Sequence, residues 1–293
     1  MNILILADGD WSGAGHALFE AVNDHTEHTA RQVAHQRSYL GYDCDVFAPS
    51  RSELRDLIEW ADVVNVHDSN DWLIPQDVPS RPTVATYHGS QYRARWPYYN
   101  ALDAQRNRVS TALNLDLAML GPKWLPRPMP DMKDARNGYR RNGAFRVAHA
   151  PTNRQIKDTE TVIGALDALD GVELVLIEGV SNDECIEIKA GCDLLVEEFK
   201  LGYGTNALEN WAMGIPVVAH AFPGILAFMQ MSLGKLPFVD TPLERLRDTV
   251  THLRDSKSAY NAAQRKGRAY WKNYHEPSVV ASKFIEICKE SIQ

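Results

Sequence analysis

Short apolar runs alternate with longer stretches of helical periodicity along this chain, and they do so in two successive sets. NILILA (2–7), DCDVFAP (43–49), ADVVNVH (61–67) and PTVATYH (82–88) have the length and content of buried parallel strands, with helical segments between the first three. FRVAHAP (145–151), VELVLIEG (172–179), CDLLVEE (192–198) and IPVVAHA (215–221) repeat the theme, with helical stretches such as 159–169 and 205–213 among them. Two such sets predict an α/β chain with two doubly wound parallel sheets. The 293 residues allow about 150 for each, enough for two separate cores. Residues 1–143 are expected to form one Rossmann-like domain and 144–275 a second. Residues 276–293 are expected to form a C-terminal helix that packs back on the body, because SVVASKFIEICKESI (278–292) is amphipathic at helical spacing.

Between the two sets, residues 121–144 combine four prolines and three glycines with an excess of basic residues. That composition predicts a connector with little regular structure, either simply solvated or with arginines that meet an anionic ligand or acceptor. The formal charge of −7 argues against a general polyanion binder. Cys44, Cys185, Cys192 and Cys288 are scattered, with no zinc-like spacing, and read as free thiols in a reducing compartment. The start, MNILILADGD, runs straight into a strand without a secretory n-region, and no run reaches the roughly 18 apolar residues of a membrane span. The expectation is a cytoplasmic protein with no transmembrane segment.

The stretch KLGYGTNALENWAMGIPVVAH (200–220) carries the most chemistry. A helix that begins after Gly202-Tyr203-Gly204 presents unpaired N–H groups and the positive end of its dipole, and the glycines let a phosphate approach the backbone. Glu209 falls one turn into that helix, where its two oxygens could accept from both hydroxyls of a ribose. Phosphates at the tip and ribose behind describe a nucleotide. The competing reading is an ordinary helix with a Gly-Ile-Pro stop and a surface glutamate. Gly13 and Gly15, after the first strand, suit close passage of a donor phosphate or acceptor, or equally a turn and helix start. A dehydrogenase fits poorly, because Leu18 stands where the third small residue of the dinucleotide fingerprint should fall.

GYGTNALENWAMGIPVVAH resembles the signature of retaining glycosyltransferases of the GT-B fold, specifically glycosyltransferase family 4. Leu208, Glu209, Ala212, Gly214, Pro216, Val217 and Val218 match it, while Asn210-Trp211 replace an Ala-Met pair. VAHAPTNRQIKDTETVIGAL (147–166) resembles the strand, loop and helix that open that family's second domain, and ADVVNVHDS and VATYHGSQYR resemble strand ends of its first. The resemblance implies two Rossmann-like domains facing a cleft. It implies that Glu209 binds the donor ribose and that the amides of Gly204, Thr205 and Asn206 hold the distal phosphate. Lys157 matches the family's lysine, with Asp158 in place of the following glycine and Arg154 in approximate register. Two such cations opposite a helix tip could neutralise a diphosphate leaving group without a metal. His88 would face the transferred sugar at a strand's C-terminal end, where open α/β sheets bind ligands. His67 and Asp68, at the end of the preceding strand, are weaker candidates on the same logic.

The sequence departs from the family at three places. Leu201 occupies the position of the first acid in the family's Glu-x7-Glu pair, and neither Glu197 nor Glu198 is in register. Only about eleven residues, SNDECIEIKAG, join two strands where the family has a further βα unit. The first domain is also compact. The expected activity is transfer of a sugar from a nucleotide diphosphate sugar to an acceptor hydroxyl with retention. The donor is a co-substrate, and neither a cofactor nor a metal is needed. The acceptor is open: a glycan, a small molecule or modified DNA. The DNA alternative, of viral type, rests on residues 88–108, where Arg93, Arg95, Arg106 and Arg108 interleave with Tyr92, Trp96, Tyr98 and Tyr99. A helix with packed aromatics and solvated arginines is the other reading of that segment. An alternative of another class is a GT-B nucleotide-binding or scaffold protein that has lost transfer.

Overall fold

The computed structural model describes residues 1–68, 70–139, 143–167 and 169–293, apart from the Ser90 side chain, so residues 140–142 of the connector lie outside the described residues. The chain divides into two compact units: Met1–Pro128 with Tyr274–Gln293, and Met129–Asn273. The connector is thus shared between them.

The first unit runs β1 (Asn2–Gly9), α1 (Ala14–His25), β2 (Thr29–Gln36), β3 (Val46–Phe47), α2 (Arg51–Trp60), β4 (Val63–His67), β5 (Thr83–Tyr87), α3 (Gly89–Gln105), β6 (Val109–Ala112), α4 (Leu115–Ala118) and β7 (Lys123–Trp124). Its seven strands form one sheet in the order β3-β2-β1-β4-β5-β6-β7, all parallel. β2 differs from expectation, since TARQVAHQ has no apolar run. Its buried Gln32 is tied to the neighbouring segment: the side-chain oxygen accepts from Asp45 N at 3.0 Å, and Gln32 N donates to Asp45 Oδ2 at 3.2 Å, while Nε2 has no partner among the described residues. The expected strand over 43–49 contracts to the two-residue edge strand β3.

The second unit contains β8 (Phe145–His149), α5 (Thr159–Leu166), β9 (Val172–Leu176), α6 (Asn182–Ala190), β10 (Leu194–Val196), α7 (Thr205–Met213), β11 (Val217–Ala219), α8 (Pro223–Leu233), β12 (Val239–Asp240), α9 (Leu246–Asp255) and α10 (Lys257–Tyr270). Its parallel sheet has the order β12-β11-β10-β8-β9. The residues SNDECIEIKAG form α6, capped by Ser181, whose hydroxyl accepts from Glu184 N. α7 ends at Gly214, which takes φ +75°, the left-handed turn glycine adopts without strain.

Each sheet buries its own core. Ile3, Ile5, Val63 and Val84 of the first sheet pack against Leu18 and Val22 of α1 and against Val280, Phe284 and Ile285 of the last helix, α11 (Pro277–Ile292). The chain's end is therefore part of the first core. In the second unit Phe145, Val147, Leu194, Val196 and Val218 pack against Val162, Leu166, Leu246 and Val250.

Candidate functional site

β10 delivers Glu197 and Glu198 to its C-terminal end, and the chain then turns through Gly202, at φ +96°, to Gly204, the N-cap of α7. Three groups converge there. Gly204 N donates to Glu197 Oε1 at 3.1 Å, and Lys157 Nζ donates to the same oxygen at 2.8 Å while lying 3.3 Å from Glu198 Oε2. Leu201 N donates to the other oxygen of Glu198 at 2.8 Å. A helix-tip amide and a cation thus meet on one anion, which here is the protein's own buried Glu197 carboxylate. Burial by itself would lower the Lys157 ammonium, but Glu197 and Glu198 more than offset it and hold the pKa above its usual value. Burial raises the Glu198 carboxyl, with Lys157 opposing and the like charge of Glu197 adding to the rise.

One turn further, Glu209 is buried and ion-paired to Lys189 of α6, itself fully buried. Lys189 Nζ also donates to Asn206 Oδ1 at 2.9 Å, and Asn206 Nδ2 donates to Ala150 O at 3.0 Å. Lys189 was not among the expected residues. The pair exists because α6 packs against α7, an approach that spacing within either helix does not encode. Thr205 opens α7, half-buried beside Gly204. Arg154 does not join these groups. It is half-buried and gives Glu160 two bonds, 2.9 and 2.7 Å, and Glu178 one of 2.6 Å; these hold its guanidinium above its usual pKa.

In the first unit, Gly13 is the left-handed N-cap of α1, and a Cβ there would lie 2.3 Å from the Tyr42 ring. A Cβ on Gly15 would lie 3.2 Å from Asp10 Oδ2, the oxygen that accepts from His16 N at 2.8 Å. The approach to both glycines is thus taken by side chains of the same unit. His88 follows β5 as the N-cap of α3. Its Nε2 lies 3.2 Å from Asp68 Oδ2, and its backbone N donates to Asp68 Oδ1 at 3.1 Å. The His67 ring stands edge-on to that of His88, with centroids 5.7 Å apart. Burial, then the neighbouring His88, lowers the His67 pKa to about 4 against a smaller upward pull from Asp10. Burial raises the Asp68 carboxyl, with His88 opposing.

The aromatic and basic residues of 88–108 are divided: Tyr92 and Tyr99 are buried and Arg93 and Arg108 partly so, while Arg95, Trp96, Tyr98 and Arg106 are exposed. Tyr92 stacks on both Tyr87 and Tyr99, and the rings of Tyr87 and Tyr99 are tilted to each other. Arg93 pairs with Asp116 at 2.8 Å, Arg106 with Asp71 at 2.6 Å, and Arg108 with both Asp71 and Asp103. Trp96 and Tyr98 remain exposed.

No protein-family model and no curated protein matches the chain at the sequence level. Solved structures do match in three dimensions. HepE from Anabaena, solved with UDP and glucose, is 15% identical, with 98% of each chain covered and a TM-score of 0.67. Sucrose-phosphate synthase from Thermosynechococcus elongatus is 12% identical, with 99% of this chain and 98% of the other covered and a TM-score of 0.66. UDP-GlcNAc 2-epimerase from Neisseria meningitidis, bound to UDP-GlcNAc, is also 12% identical, with 99% and 100% covered and a TM-score of 0.58. Likeness at such low identity speaks for architecture, and the same architecture carries both transfer and epimerisation. The two parallel-sheet α/β units of this chain have the GT-B fold.

Proposed function

We propose that the chain is a nucleotide-sugar-dependent glycosyltransferase, of the retaining, family 4 type, that acts on an acceptor hydroxyl in the cytoplasm. The observation that carries this reading is the convergence of Gly204 N and Lys157 Nζ on one anionic oxygen. A donor phosphate that displaces Glu197 would find an amide at the helix tip and a cation already directed at a common point. The amides of Thr205 and Asn206 would extend the cradle, and Gly202 would give the turn its shape. Arg154 would add a second charge once released from Glu160 and Glu178. Glu209 would meet the ribose after exchanging part of its bond with Lys189. On the first unit, Asp68 would hold the His88 imidazole toward the sugar. Positive charge from Lys157 and α7 on the leaving diphosphate makes a metal unnecessary in this reading. Retention would follow from front-face attack, with a leaving-group phosphate oxygen taking the acceptor proton. HepE, solved with UDP and glucose, makes UDP and UDP-glucose the first donors to try.

A second reading, a GT-B nucleotide-binding or scaffold protein without transfer, is favoured by one observation: Glu197, Glu209 and Arg154 are all engaged by internal partners. A panel of nucleotides and nucleotide sugars, read by thermal shift and by mass spectrometry of products, separates the two. Turnover of a nucleotide sugar establishes transfer. Binding without turnover across sugar, small-molecule and modified-DNA acceptors selects the scaffold, and no binding at all sinks both.

A further inference from the structure

One carboxylate of the first unit is buried with an oxygen unused. Asp10 follows β1 and is 3% exposed. Its Oδ2 accepts from His16 N at 2.8 Å, whereas Oδ1 is buried and has no partner among the described residues. A buried carboxylate without a counter-charge is among the costliest groups a fold can keep, and such groups in native proteins call for a partner.

Asp10 lines a pocket of about 190 Å³ with Arg37, Tyr42, Asp43, Cys44 and Asp45, all from the segment that joins β2 to β3. Three of these side chains are carboxylates and one is a guanidinium. Asp45 is engaged by Arg31 and by Gln32 N, and the Arg37 guanidinium lies 4.2 Å from the centre of the Phe47 ring. That leaves buried Asp10 and exposed Asp43 as the carboxylates without a paired cation among the described residues. The Cys44 thiol reports the same field: burial raises its pKa, Arg37 opposes, and Asp43, Asp45 and Asp10 each add to the rise.

Charge and donor count select the ligand. Three carboxylates against one guanidinium disfavour a phosphate or any other anion. A metal ion needs several grouped ligands, and no cluster of three or more His, Cys, Asp or Glu among the described residues could hold one. A neutral hydroxyl could donate to Oδ1 but would leave the charge uncompensated. A primary ammonium supplies both, with three N–H donors on one compact charge. The Tyr42 and Phe47 rings in the pocket wall give its alkyl stem an apolar surface.

We propose that this pocket binds the protonated primary amine of a small ligand, which donates to Asp10 Oδ1 and is drawn in by Asp43. Its residues belong to the first unit, whereas the phosphate cradle at α7 belongs to the second, so the amine site does not rest on the glycosyltransferase reading. The test titrates the full chain by calorimetry, in amine-free buffer, with putrescine, with its uncharged analogue butanediol and separately with UDP. Putrescine should bind and butanediol should not. Asp10→Asn, which removes the charge and offers a donor beside the ammonium, should weaken putrescine about tenfold or more and leave UDP binding as in the parent. Asp43→Asn, at an exposed position, should weaken putrescine about threefold, and it decides the matter where Asp10→Asn does not fold. Putrescine should also change the rate at which iodoacetamide alkylates Cys44 and leave that of Cys185, in the second unit, unaltered. The proposal is overturned if putrescine does not bind, if butanediol binds as well, or if Cys44 alkylation does not respond. It is overturned too if Asp10→Asn, or Asp43→Asn where the first does not fold, binds putrescine as well as the parent. A chain that binds putrescine but not UDP keeps this site and removes the donor reading; one that binds UDP but not putrescine does the reverse.

Discussion

The helix tip of the second unit and the strand ends of the first are opposite solutions to placing polar groups where a ligand is expected. At the helix tip every named charge has an internal counter-charge: Lys157 with Glu197 and Glu198, Lys189 with Glu209. At the strand ends Asp10 Oδ1 and His67 Nδ1 have no partner among the described residues. The first arrangement is stable without ligand and must yield ground to bind one. The second stores an unmet demand that a ligand can satisfy. Breaking an internal pair should therefore cost stability, whereas altering the strand ends should alter pH behaviour and binding.

The largest effect is expected from Lys189→Ala. It leaves the Glu209 carboxylate buried without its cation, which should cost about 3–5 kcal/mol in urea unfolding followed by tryptophan fluorescence. The double variant Lys189→Met with Glu209→Gln should recover much of that loss, because no lone charge remains. A single variant that loses less than about 1 kcal/mol would mean that the pair is not the closed unit described here.

Next comes acid sensitivity of the first unit. His67 and His275 are both buried, and burial lowers each to about 4 from an ordinary value of 6.5. Between those values the unfolded chain binds protons that the folded chain does not, so stability falls as the pH drops from 6.5 toward 4 and is full above 6.5. His275→Gln should flatten part of that slope in denaturation curves measured across the window.

The largest elements were legible because their signals are local. The runs at 2–7, 61–67 and 145–151 are long and apolar, and α7 lies between Gly204 and Gly214, so helix and turn follow from neighbouring residues. β2 was not legible, because its polar Gln32 is held by Asp45, thirteen residues away, rather than by a neighbour in sequence. β7 and β12 have two residues each, too few for any periodicity. At the site, sequence alone picked out Lys157, Gly204 and Glu209, but not what they bond. Glu197 stands out of register as a sugar-facing acid, yet the tertiary turn brings it to the helix tip. Lys189 lies in the last turn of a helix whose sequence gives no inward face.

Glu197→Gln comes next in size and separates a displaced internal anion from a ligand-binding acid. The amide can still accept from Gly204 N but no longer competes as an anion for Lys157, at a cost of about 1–3 kcal/mol in folding stability. If Glu197 only holds the place of a phosphate, UDP should bind several-fold more tightly by calorimetry. Weaker binding would make Glu197 part of the donor seat.

Arg154→Ala should have the smallest effect on folding, and that makes it informative. Its ion pairs with Glu160 and Glu178 are exposed, and exposed pairs contribute little. The melting temperature of the variant should match the parent's. A cation that comes free to meet a leaving diphosphate would show itself as a loss of turnover with UDP-glucose at unchanged melting temperature. The same substitution under the scaffold reading would change neither. A fall in both would show that Arg154 holds the loop after β8 in shape, and would return the whole charge of the cradle to Lys157 and the α7 amides.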